Sequence, residues 1–131
     1  MTDKHYLIIL TLAGVVWFLI RIFLGGIFDM PSAGDLFTYI MFIPLAEELF
    51  FRGVLQDYFK EKTAKKILGL TYANIIVSVL FASAHIPAWG LFHSALVFIP
   101  SLAFGFLYDK SGKLVYCIFL HAVYNFNVFI V

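Results

Sequence analysis

Charge is scarce in this chain. Only 13% of its 131 residues are Asp, Glu, Lys or Arg, against about 25% in soluble domains. Hydrophobic residues make up 63%. A water-soluble chain of this size could not hide that much apolar surface, and exposing it would drive aggregation. A bilayer removes the conflict by acting as the apolar solvent. Cysteine is nearly missing too: Cys117 stands alone, which excludes an internal disulfide and leaves the redox compartment unread. Alternation of apolar and polar residues is also absent. The apolar runs are long and uninterrupted, so strands are not expected, and in lipid only helices and closed barrels satisfy the backbone. No composition shift or repeat divides the chain, so residues 1–131 read as a single transmembrane domain. The net charge of +1 offers no basic excess for nucleic acid.

What is there is a set of helical runs. Spanning about 30 Å of hydrocarbon takes about 20 apolar residues. Five runs qualify or nearly so: residues 6–24, 36–59, 67–85, 91–108 and 114–131. The fold class is therefore all-α, a polytopic bundle of about five membrane-spanning helices. The first run lacks a small-residue cleavage site and reads as a retained helix, not a signal peptide. Lys4, Lys60, Lys62, Lys65, Lys66, Lys110 and Lys113 all fall on one side of such a bundle, and Asp29 and Asp35 on the other. The positive-inside rule then places the N-terminus in the cytoplasm and the C-terminus outside. The compact chain looks bacterial, which points to a bacterial cell membrane.

Charges inside such helices require a reason, because each costs several kcal/mol. Glu47, Glu48 and Arg52 lie in the second run. Side chains four apart are about 40° apart on an α-helix, one turn along, so Glu48 and Arg52 can pair as a structural unit. Glu47 points about 100° away and is left without that counterion, which suits a general acid or base. His85 ends the third run. His121 and Asn125 share one face of the fifth. Straight helices place Glu47 and His121 near mid-membrane but His85 near the outer surface.

Three segments together carry a resemblance. Glu47-Glu48-Leu49-Phe50-Phe51-Arg52, Phe81-Ala82-Ser83-Ala84-His85 and His121-Ala122-Val123-Tyr124-Asn125 resemble, in order, the three motifs of the CAAX protease and bacteriocin-processing enzymes. The likeness covers about residues 36–131. It implies an intramembrane endopeptidase related to the CAAX prenyl endopeptidase. By that likeness Glu47 and His85 would activate a water, His121 and Asn125 would donate to the oxyanion, and Glu48 and Arg52 would support the site. The substrate would be a peptide or membrane protein, with no cofactor.

Other chemistries compete. Two histidines and two glutamates could bind zinc, but the H-E-x-x-H pattern that marks zinc proteases is absent. Cys117 and His121 are one turn apart and could form a dyad, although a helical cysteine serves equally as a small apolar residue. His5 and His93 read as interfacial. A non-enzymatic protein of bacteriocin self-immunity, binding a toxin or a partner membrane protein, is the alternative class. The low helix number fits a homo-oligomer.

Overall fold

The computed structural model describes residues 1–131, about 81% of them helical, in five helices. Helix α1 spans Asp3–Phe23. Helix α2 is continuous over residues 33–62, and inside it Leu36–Phe42 and Leu49–Gln56 widen to π geometry. Helix α3 is Tyr72–Ala84, α4 is Ile86–Ser111 and α5 is Leu114–Asn125, followed by a 3₁₀ turn at Phe126–Phe129. The first π stretch ends just before Pro44. Proline lacks an N–H and crowds the carbonyl four residues back, so the widened turn absorbs a defect that α geometry cannot.

Three expected boundaries move. The third run is not helical from Ile67. Lys66–Ile67 (β1) and Leu70–Thr71 (β2) form a small antiparallel hairpin, correcting the expectation of no strands. Thr71 then caps α3, its hydroxyl accepting from the Asn74 N–H at 3.1 Å. A residue that caps a helix cannot also lie within it, so α3 is 13 residues long. The fourth run gains a helical first turn before Gly90. Gly90 has φ +75°, a backbone state that side chains oppose, and it breaks that turn from the helix beyond. The fifth run stops being α-helical at Asn125. Beyond it the backbone pairs with the loop after α1, with Phe28 opposite Ile130. Arg21, the one charge in the first run, donates to the carbonyls of Asn127 and Ile130, both at 2.9 Å.

Helix α5 lies against α1, α2 and α4, and α3 packs along α4. At the lysine-bearing end, Lys113 Nζ donates to Asp3 Oδ2 at 2.7 Å and ties α5 to α1. That bond holds the Lys113 ammonium above its ordinary range.

The buried set mixes twelve apolar residues, Phe81, Phe104 and Leu120 among them, with eight polar or charged ones. Only 23 of 131 residues are buried, and these include Glu48, Arg52, Gln56, Asn74, Ser78, Ser101 and His121. The surface instead carries large apolar side chains, such as Phe23, Leu24 and Phe92, each more than 70% exposed. Two helices, α1 and α4, are long and apolar enough to cross a membrane, while α3 and α5 are apolar but shorter.

Candidate active site

The interior face of α2 is a ladder of Glu48, Arg52 and Gln56, all fully buried. Side chains four apart lie one above the other on a helix face, so the three form one row. Arg52 Nε donates to Glu48 Oε2 at 3.0 Å and Nη1 to Gln56 Oε1 at 3.2 Å. The pairing expected of Glu48 and Arg52 is formed. Arg52 Nη2 donates to Ser101 Oγ on α4 at 2.7 Å. Gln56 Nε2 donates to the Gly105 carbonyl at 3.0 Å and to Asp109 Oδ1 at 2.9 Å. A Cβ at Gly105 would come within 2.8 Å of Gln56 Oε1 and overlap the Asn74 amide, so α4 reaches this network only because residue 105 has no side chain.

Glu48 also reaches α5. Its Oε1 lies 2.9 Å from His121 Nδ1. Since Glu48 is paired with Arg52 and can only accept, Nδ1 carries the proton. The other ring nitrogen, Nε2, lies 3.8 Å from Glu47 Oε2. That carboxylate oxygen is buried and has no hydrogen-bond partner. Phe104 stacks on the His121 ring at 5.0 Å and Phe81 meets it edge-on at 5.7 Å, which fixes the imidazole plane.

His85 is the C-cap of α3. Its Nδ1 donates to the Phe81 carbonyl at 2.8 Å, which leaves Nε2 with a free lone pair. The ring packs on Phe81 at 4.7 Å. Asn125 is placed differently from its neighbours. Its Nδ2 donates to the Tyr39 carbonyl on α2 at 2.8 Å, and none of its hydrogen bonds goes to Glu47, His85 or His121. So Glu47, Glu48, Arg52 and His121 form one cluster, His85 adjoins it through Phe81, and Asn125 braces α5 against α2.

The competing arrangements do not assemble in the same way. Cys117 is buried, and its Sγ turns to the Phe104 carbonyl at 3.3 Å rather than to His121. No group of three or more His, Cys, Asp or Glu side chains is spaced to hold a metal ion. Sequence reasoning missed Gln56, Ser101 and Asp109. Gln56 carried a legible signal, as the next i, i+4 step after Arg52. Ser101 and Asp109 carried none beyond being polar residues in or at the end of an apolar run.

Residues 29–127 match the family of type II CAAX prenyl endopeptidase Rce1-like proteins. No curated protein and no solved structure gives a significant match. The matched region covers most of the chain and contains the whole cluster. The chain therefore belongs to the type II CAAX prenyl endopeptidase Rce1-like family, a family of membrane-embedded proteases.

Proposed function

We propose that the protein is an intramembrane endopeptidase in which Glu47 and His85 activate a water for attack on a peptide carbonyl. One observation carries this reading. Glu47 Oε2 is buried, unpartnered and 3.8 Å from a histidine nitrogen, in a cluster whose other carboxylate, Glu48, is fully engaged. An acceptor held without a partner in an apolar interior costs stability, and a role in proton transfer explains why it is kept. The Nε2 of His85, left free by the Nδ1 bond to the Phe81 carbonyl, is a second acceptor. His121, held at Nδ1 by Glu48, presents Nε2 to the reacting space. Once a proton reaches Nε2 it donates to the developing oxyanion, and such donors in a dry site are usually a large catalytic term. Asn125 supplies the second donor through the amide proton not used on Tyr39.

The surrounding architecture is read in the same way. The exposed apolar faces belong in lipid, the five helices cross it, and the lysines lie in the cytoplasm with the N-terminus and opposite the C-terminus. The substrate is a peptide or membrane-protein segment.

The test is Glu47→Gln in reconstituted protein, assayed on a library of membrane-anchored peptides. General acid–base groups contribute about 10²–10⁴ in rate, so cleavage should fall at least a hundredfold while the helical content stays unchanged. Full cleavage by the variant would refute the assignment of Glu47.

A further inference from the structure

We propose that the hairpin between α2 and α3, together with the lysine-bearing ends of α2 and α4, forms a binding site for the headgroup phosphate of an anionic phospholipid. A depression of about 300 Å³ opens there, apart from the glutamate cluster, and is lined by Lys60, Thr63, Lys66, Thr71, Asp109 and Lys110 among others. Three lysines and one carboxylate line it, with the Lys110 ammonium resting over the Phe106 and Tyr6 rings at 5.4 and 5.9 Å. Asp109 is already engaged on every side: Lys60 Nζ lies 2.8 Å from Oδ1, Gln56 donates to the same oxygen at 2.9 Å, and Thr71 donates to Oδ2 at 2.6 Å. These bonds make the floor of the depression rigid. Lys66 and Lys110 form no ion pair, so the depression has positive charge left over. The Thr63 hydroxyl accepts from the Lys65 N–H at 3.2 Å and keeps its own proton to donate.

The hairpin tip names the source of the phosphate. Leu68 is 98% exposed and Ile67 50%, at a turn where Leu68 and Gly69 both have positive φ, 50° and 84°. A leucine held in the left-handed region and touching almost nothing has no purpose in water. An apolar tip flanked by Lys65 and Lys66 matches an element that dips into the boundary between headgroups and acyl chains, with its lysines at phosphate level. A free phosphate ion would give the leucine nothing to contact. The inference rests on the proposed membrane placement and is independent of peptidase activity.

The test uses the full chain, purified in neutral detergent and titrated with short-chain phosphatidylglycerol, short-chain phosphatidylcholine or inorganic phosphate, with the thermal unfolding midpoint as readout. Phosphatidylglycerol should raise the midpoint saturably, phosphatidylcholine should not, and added salt should weaken the effect. The Lys66→Gln, Lys110→Gln double variant should bind phosphatidylglycerol about 30-fold more weakly. Leu68→Ser, which leaves every ion pair intact, should also weaken lipid binding. Equal stabilisation by the two lipids, full stabilisation by inorganic phosphate, or an unchanged affinity in the double variant would overturn the site. Alkaline carbonate extraction of native membranes separates the two readings: release of the protein overturns the membrane placement, whereas retention with indifference to phosphatidylglycerol overturns the lipid site alone.

Discussion

Glu48 holds His121. The 2.9 Å contact between Glu48 Oε1 and His121 Nδ1 joins residues 73 positions apart and links the buried ladder of α2 to the inner face of α5. It fixes which ring nitrogen is left to face Glu47, and so gives two adjacent glutamates separate tasks. One orients the imidazole, and the other remains without a partner.

The orienting side should be a stability element. Glu48 and Arg52 are both fully buried and 3.0 Å apart, and removing one partner of such a pair typically costs about 3–5 kcal/mol. Arg52→Met should lower stability by that order in a denaturant titration in detergent. Glu48→Gln combined with Arg52→Met should recover part of the loss, because no charge is then left buried alone. A double variant as unstable as the sum of the single ones would mean that the two residues are not coupled.

Gly105 should resist even one added methyl. Gly105→Ala pushes a Cβ against the amides of Gln56 and Asn74, and overpacking of this kind costs about 1–3 kcal/mol. Since Gln56 braces Arg52, the variant should also slow cleavage. A stable, fully active Gly105→Ala protein would show that α4 can shift without disturbing the ladder.

Asn125 separates bracing from donation. Asn125→Ala loses the bond to the Tyr39 carbonyl and the proposed oxyanion donor. Loss of one such donor typically costs about 10²–10³ in kcat, so kcat should fall by that order with KM little changed. Thermal unfolding of the same variant measures the bracing part. A loss of stability with unchanged kcat would assign Asn125 to structure alone.

Metal dependence has its own outcome. If Glu47 and His85 activate the water unaided, the purified protein should contain no stoichiometric zinc, and strong chelators should leave cleavage unchanged. Stoichiometric metal whose removal abolishes cleavage would replace Glu47 as the activating group.

Much of this was legible in the residues, for reasons that can be named. Apolar runs of helical length follow from the solvent the chain must satisfy, so the five helices could be counted without tertiary information. The Glu48–Arg52 pair follows from local helix geometry, and the three motifs mark where chemistry-bearing side chains stand. The boundaries were less legible. Nothing in the apolar run at residues 67–71 distinguishes a helix start from a hairpin; the cap at Thr71 and the positive φ at Leu68 and Gly69 appear only once the chain is placed. The packing of His85 on Phe81 was likewise not encoded in hydropathy.

The sequence by itself determined that the chain is helical and apolar outside, and that Glu47 lacks a counterion on its own helix, because both depend on composition and on neighbours one turn away. Only the tertiary structure decided that His121 stands between the two glutamates, that Asn125 reaches Tyr39, and that Gln56, Ser101 and Asp109 complete the ladder. Those contacts join side chains 49 to 86 residues apart, and such distances close only when α4 and α5 pack against α2, which no local pattern encodes.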